Sequence, residues 1–211
     1  MRIKLNANDF LCLICGISMD KYDIKFHKID KSTVNVKRLG NGHWLELQEI
    51  EYIDPSTKVT RKWEVCKRKG STTTKEKKSI DAVDIHAITR EENKPPQIVL
   101  VIQFRPPIGR YCIEFPSGLI DDNETVETAA LRELQEETGY YGQITRISEP
   151  ICYEPGLTDS LTKIIDMEID LTSIENINPK KKLEDDEWSL QTIKIPLDNL
   201  YDTLQIATTA F

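Results

Sequence analysis

The sequence has little of what membrane, secreted and nucleic-acid-binding proteins usually need. Its longest apolar run, FLCLICGI at residues 10–17, is far shorter than the roughly 20 residues that cross a bilayer. The run also lacks the layout of a secretory signal peptide. Basic residues are outnumbered, 28 against 35 acidic ones, and the net charge is −7, which disfavours binding to nucleic-acid phosphates. We therefore expect no membrane partner and no nucleic-acid partner.

Cysteine is scarce and shows no framework spacing. The chain has five cysteines, an odd number that predicts reduced thiols rather than disulfides. Two of them form a CxxC at residues 12–15, but a structural zinc needs a second pair of ligands, and the three histidines do not supply one. The composition predicts a cytoplasmic protein, with the nucleus as the alternative compartment.

The apolar pattern predicts mostly strands with one clear helix, an α+β chain. Residues 44–68 read as two or three strands around a turn at residues 54–57, and residues 69–79 read as a linker. Further strands are predicted at 80–89, 97–104, 111–115, 144–153, 161–169 and 188–195, with a polar loop at 176–186. The domain boundaries that we predict are an unassigned extension at 1–30, a small antiparallel β domain at 31–78 and a main domain at 79–211.

The helix is predicted over Val126–Thr138, with Thr125 as N-cap and Gly139 as the terminating residue. Three carboxylates, Glu133, Glu136 and Glu137, fall on one arc beside its buried stripe. Crowded, partly desolvated carboxylates need a compensating cation, and oxygen ligands suit Mg²⁺ or Mn²⁺. By itself, such a pattern also fits an ordinary acidic surface helix.

The surroundings of these carboxylates resemble a known signature. The stretch GLIDDNETVETAALRELQEETGY, residues 118–140, is similar to the complete loop-helix-loop motif of the Nudix hydrolases. Three further segments, HWLELQEIEYIDPSTKVTRKWEVCKR, IQFRPPIGRYCIEFPSGLIDD and YEPGLTDS, resemble the ADP-ribose (ADP-sugar) pyrophosphatases. Pro155, sixteen residues beyond Gly139, matches the proline that marks that subfamily. The resemblance implies a Nudix α/β/α sandwich preceded by a small antiparallel β domain.

The resemblance also implies a reaction and a site. ADP-ribose and related ADP-sugars would be hydrolysed to AMP and a sugar 5-phosphate, with the three helix carboxylates and a backbone carbonyl at Ser117 as metal ligands. Glu187 would be the general base, with Asp186 nearly as good a match. Trp44 and Trp63 would sandwich the adenine. Arg68 and Arg105 would contact the phosphates or the terminal ribose.

Some readings stay open at this stage. The tryptophans could pack on their own core, and the arginines could be ordinary surface residues. Related proteins also accept oxidised nucleoside diphosphates such as 8-oxo-dGDP, and a non-catalytic ADP-ribose sensor is a third function, although sensors usually lose a helix carboxylate. Similar proteins are homodimers whose N-terminal strands cross to the partner, and we expect the same assembly here. The last residues, PLDNLYDTLQIATTAF, would begin a C-terminal helix that is longer in similar proteins.

Overall fold

The computed structural model describes residues 29–69 and 80–209 of the chain. By their contacts, the described residues divide into two compact units. The first unit contains residues 29–69, 80, 81 and 150–161, and the second contains residues 82–149 and 162–209. The extension at 1–30 and the linker at 69–79 lie almost wholly outside the described residues, so the domain boundaries stay predictions.

The first unit is built on a three-stranded antiparallel sheet in the order β1-β2-β3. The strands are β1 (Asn35–Asn41), β2 (Leu45–Ile53) and β3 (Thr60–Arg68). β2 and β3 pair without interruption from Leu45↔Arg68 to Ile53↔Thr60. The predicted turn closes this hairpin, because the Asp54 carboxylate accepts the N–H groups of Ser56 and Thr57. The predicted segment thus holds two strands, and β1 precedes it.

The second part of this unit, residues 150–161, packs along β3. The Cys66 N–H donates to the Leu157 carbonyl at 2.8 Å, and Cys66 forms a parallel bridge with Thr158. The strand predicted at 144–153 is therefore wrong in its second half, since the strand ends at Ile147. Proline at position 150 lacks the N–H that a continued sheet ladder would need.

The second unit contains a seven-stranded mixed sheet. Its strands are β4 (Ala82–Arg90), β5 (Gln97–Arg105), β6 (Arg110–Glu114), β7 (Ser117–Leu119), β8 (Gln143–Ile147), β9 (Thr162–Asp170) and β10 (Gln191–Pro196). The order is β10-β5-β4-β9-β8, with β6 beside β5 and β7 beside β4. β4 and β9 are parallel and the other pairs are antiparallel. The buried central strand predicted at 97–104 is confirmed as β5.

The helix α1 (Val126–Thr138) has the predicted bounds. The Thr125 hydroxyl accepts the Thr128 N–H, and Gly139 ends the helix with a φ of 77° in the left-handed region that glycine tolerates best. Its inner face carries Ala129, Ala130 and Leu134, which are fully buried against the β4 and β9 side chains. This packing fixes the helix, and with it the direction of the carboxylates beside the buried stripe.

Two short helices complete the second unit. The predicted polar loop at 176–186 is partly wrong, because α2 (Ile174–Ile177) and a 3-10 turn at Asp185–Glu187 interrupt it. α3 (Leu200–Thr209) begins as expected and packs Leu200 and Leu204 against a second apolar cluster on β5 and β10. The α+β class and the antiparallel N-terminal sheet are confirmed. Among the described residues, no helix combines the length and the apolar character that crossing a membrane requires.

Candidate active site

Two of the three helix carboxylates are buried. Glu137 is 1% exposed and Glu133 is 8% exposed, and both follow the helical spacing that the sequence predicted. The Ser117 N–H, at the start of β7, donates to Glu137 Oε2 at 2.9 Å. A Cβ atom added at Gly118 would overlap the Glu133 carboxylate. The backbone of β7 therefore lies directly against the carboxylates, and any side chain at position 118 would force the Glu133 carboxylate to shift.

Arg132 organises the acidic side of α1. Its guanidinium donates to both oxygens of Glu124, from Nε at 3.0 Å and from Nη2 at 2.9 Å. Nη1 donates to Glu133 at 2.7 Å and to Glu136 at 3.0 Å, and Nη2 also reaches the Leu119 carbonyl at 3.0 Å. These contacts engage every nitrogen of the guanidinium. The guanidinium thus pairs with three carboxylates, those of Glu124, Glu133 and Glu136.

Burial raises the proton affinity of this cluster. Desolvation raises the pKa of Glu137 to about 9 and the pKa of Glu133 to about 7, while the Ser117 N–H opposes the first shift and Arg132 opposes the second. The negative charge of Glu187 adds to both increases. Buried carboxylates of this kind suit a hard divalent cation, which would hold them ionised. Within residues 29–69 and 80–209, no three acidic, histidine or cysteine side chains are grouped as they would be around a metal ion. Glu133 and Glu136 instead bond to Arg132, and Glu137 bonds to the Ser117 N–H.

The predicted base candidate Glu187 lies in the same unit. It ends the 3-10 turn Asp185–Glu187, where its Oε2 accepts the Glu184 N–H at 2.8 Å in a capping box. Its influence on the pKa values of Glu133 and Glu137 places its charge near both. The side chain of Asp186, the second candidate, lies outside the described residues.

Arg105 is also in this unit, at the end of β5. Its Nε and Nη2 donate to the two oxygens of Glu114 at 3.0 and 2.7 Å, a bidentate pair that orients the guanidinium. Gln103 donates to the same carboxylate at 2.8 Å. The sequence analysis missed Glu114 because the pairing depends on the register of β5 and β6, in which Gln103 faces Cys112.

The remaining predicted residues, Trp44, Trp63 and Arg68, belong to the first unit. Trp44 is 76% exposed and contacts the His43 ring at a centroid distance of 4.4 Å. Trp63 lies on β3 and is 52% exposed. Arg68 is the exposed last residue of β3. Neither indole is buried, so the reading in which these tryptophans pack inside their own core is wrong.

Sequence analysis also missed Lys181. The Lys182 N–H donates to the Glu136 carbonyl at 2.9 Å, which fixes this segment against the end of α1. Desolvation lowers the pKa of Lys181, and the charge of Glu137 opposes the shift. The run of three lysines at 180–182 was the available signal, but such a run more often marks a solvated loop.

Comparison with known proteins agrees with this geometry. Residues 78–192 match the NUDIX domain family. The chain is 39% identical to an ADP-sugar pyrophosphatase of Mus musculus, with 79% of this chain and 73% of that protein covered. It is 41% identical to an ADP-ribose pyrophosphatase of Saccharomyces cerevisiae, with 73% and 65% covered. A crystal structure of an ADP compounds hydrolase has the same fold, with a TM-score of 0.61, 19% identity, and 87% and 86% of the two chains covered. Gly118 and helix α1 with its carboxylates thus lie within the matched domain, and the chain belongs to the Nudix family.

Proposed function

We propose that this protein hydrolyses the diphosphate of ADP-ribose and related ADP-sugars to AMP and a sugar 5-phosphate. The observation that carries the proposal is the pair of buried carboxylates, Glu133 and Glu137, beside Glu136 on one face of α1. The substrate class is supported by two relatives at about 40% identity, which are named for ADP-sugar and ADP-ribose pyrophosphatase activity.

Nudix hydrolases generally need a divalent metal, and we propose Mg²⁺, with Mn²⁺ as a substitute. Glu133, Glu136 and Glu137 would hold it together with the Ser117 backbone carbonyl. The bound ion would neutralise diphosphate oxygens and acidify a water molecule. Arg132 keeps Glu133 and Glu136 in place through its 2.7 and 3.0 Å bonds. Burial of Glu133 and Glu137 excludes water from the ligand side chains, which strengthens their interaction with any cation.

Glu187 is proposed as the general base that takes the proton from the attacking water. A carboxylate suits this role when it lies within reach of the water that it deprotonates. Its Oε2 caps the Glu184 N–H, and its negative charge acts on both Glu133 and Glu137. Asp186 stays the alternative.

The nucleotide would be held by exposed aromatic and basic side chains. Trp44 and Trp63 offer flat faces for stacking on adenine, which has both of its own faces available. Arg105 presents an oriented guanidinium for a phosphate, and Arg68 lies at the end of the same strand as Trp63.

A homodimer is proposed as the assembly. Strand β1 buries none of its seven residues, and Val36 and Leu39 are 57% and 41% exposed. An isolated small sheet of this kind needs a further apolar surface for stability.

The cytoplasm or the nucleus is proposed as the compartment. The described cysteines are free thiols, which favours a reducing compartment of this kind.

The test is incubation of the purified protein with Mg²⁺ and ADP-ribose, followed by chromatographic detection of AMP. The same concentration of 8-oxo-dGDP is assayed in parallel, and a Glu136→Gln variant is the control for a contaminating hydrolase. We expect AMP from ADP-ribose with the higher kcat/KM. Faster turnover of 8-oxo-dGDP would replace the proposal with a clean-up activity, and tight ADP-ribose binding without AMP would replace it with a sensor.

A further inference from the structure

The indole of Trp63 is held by its edge. Its Nε1–H donates to the Gly156 carbonyl at 2.9 Å. A Cβ atom added at Gly156 would lie 3.9 Å from Cζ2 of the same indole. Nε1 and Cζ2 both lie on one long edge of the bicyclic ring, so the contact that the first unit makes here is with the edge. The side chain nevertheless stays 52% exposed, which leaves ring surface accessible.

The segment that carries the Gly156 carbonyl is itself well anchored. Within the turn, the N–H groups of Leu157 and Thr158 both donate to the Glu154 carbonyl at 2.9 Å. The Leu157 carbonyl accepts the Cys66 N–H at 2.8 Å. Lys67 and Asp159 form an ion pair at 3.1 Å. The turn is therefore fixed to β3 at Cys66 and Lys67, which lie close to Trp63 on the same strand. It cannot move freely relative to the indole.

These contacts have a consequence for a stacking residue. An exposed tryptophan on a strand has several rotamers, and selecting one of them on binding costs conformational entropy. A hydrogen bond that already selects one rotamer removes part of that cost. The donor that is used, the indole N–H, plays no part in stacking, because stacking uses the ring face.

We propose that the turn at residues 154–159 is a positioning element for nucleotide binding, which holds Trp63 by its N–H so that the ring face is preset for the base. This inference rests on the proposed function, in which Trp63 stacks on adenine. Gly156 and its neighbours act through Trp63 and need no contact with the substrate. The contribution is a binding term that is equal in the ground state and the transition state, so it affects KM and leaves kcat unchanged.

The kinetic test replaces Trp63 by 3-benzothienyl-alanine, which keeps the bicyclic ring and exchanges the N–H for sulfur. We expect KM for ADP-ribose to rise about three- to tenfold, the range expected for one neutral hydrogen bond, with kcat unchanged. The matched control is the same replacement at Trp188, an exposed tryptophan of the second unit, where KM should not change. Trp63→Ala, which removes the ring as well, should raise KM further.

The outcomes separate this inference from the proposed function. If Trp63→Ala raises KM and the sulfur isostere at 63 does not, the positioning role is wrong and stacking survives. If Trp63→Ala leaves KM unchanged, stacking is wrong and the positioning role falls with it. A change confined to kcat in the isostere would also overturn the inference.

A second measurement does not depend on activity. The chain has three tryptophans, so a ¹⁵N-indole-labelled protein gives three indole N–H signals, and the Trp63 signal is the one that Trp63→Phe removes. We expect its hydrogen to exchange with solvent more slowly than those of Trp44 and Trp188, without substrate present. Exchange as fast as theirs would show that the bond to Gly156 is not kept in solution and would overturn the inference.

Discussion

Strand β4 in the second unit and strand β1 in the first unit have similar lengths and very different surroundings. β4 buries Val83, Ile85 and Ala87 completely against α1, whereas β1 buries none of its residues. The acidic site is built on the well-packed unit, where the supporting side chains are fixed. The exposed tryptophans are on the unit whose apolar side chains remain accessible. The difference fits the proposed roles, in which the second unit supplies the metal-binding carboxylates and the first unit supplies surfaces for binding the nucleotide.

The largest effect should come from the second unit. Glu137→Gln removes a carboxylate that burial and the Ser117 N–H hold beside Glu133. We expect turnover of ADP-ribose with Mg²⁺ to fall about 1,000-fold or more, because metal stabilisation of the transition state is worth several kcal/mol. The circular dichroism spectrum should stay unchanged. Glu127→Gln, an exposed residue of the same helix, is the control and should keep full activity. Equal activity of both variants would contradict the site.

The proposed homodimer predicts that the tryptophans of one chain complete the active site of its partner. At ADP-ribose concentrations well below the wild-type KM, we expect a Trp44→Ala, Trp63→Ala double variant to lose almost all activity because it binds substrate weakly. A Glu136→Gln, Glu137→Gln double variant should be inactive at any concentration. Co-refolding them should restore about a quarter of wild-type activity, because half of randomly formed dimers are mixed and each of these contains one intact composite site. Activity is measured on the purified mixed dimer as well. Inactive mixed dimers would show that each pocket belongs to a single chain.

A smaller effect is expected from Arg132→Lys. Lysine keeps the charge but cannot reproduce five guanidinium contacts with Glu124, Glu133, Glu136 and Leu119. We expect a loss of about 1–3 kcal/mol in the free energy of unfolding, measured by urea titration. Arg90→Lys, which changes an exposed pair with Glu168, should cost less than about 1 kcal/mol. Equal losses in the two variants would mean that the Arg132 contacts stabilise the fold no more than an exposed ion pair does.

The last effect concerns the pH dependence of stability and not the activity. In the folded protein the pKa of Glu137 is raised from 4.5 to about 9 by burial, so the unfolded state releases this proton first as pH rises. Its stabilising contribution is complete below about pH 4.5 and is lost as pH approaches 9. With EDTA present, Tm of the wild type should therefore fall more steeply between pH 5 and 8 than Tm of Glu137→Gln. Parallel curves would contradict the shift, and added Mg²⁺ should reduce the difference.

The parts that could be predicted from sequence depend on local signals. The bounds of α1 follow from Thr125, Gly139 and the apolar spacing, all within one short segment. The arrangement of the three carboxylates follows from the same helical geometry. Strand β5 could be predicted because a continuous apolar run of its length fits few other structures.

The parts that could not be predicted depend on contacts between distant residues. The parallel pairing of β4 with β9 joins residues about 80 positions apart, and periodicity carries no information about partners. The contact of Arg132 with the Leu119 carbonyl requires the loop before α1 to fold back. Likewise, the strand predicted at 144–153 ends at Ile147, and the segment that follows contacts β3, far earlier in the chain, through Leu157 and Thr158.

The close contact between Gly118 and Glu133 limits which mutations the codon for residue 118 can accept. Even the methyl group of alanine would overlap the Glu133 carboxylate, and every other side chain is larger. Every missense change in that one codon therefore forces the Glu133 carboxylate to leave its position beside Arg132, whatever the chemistry of the new residue. We expect substitutions at Leu119 beside it, which is 47% exposed, to be better tolerated. Across all substitutions at codon 118, the size of the new side chain should decide the outcome before its charge or polarity does.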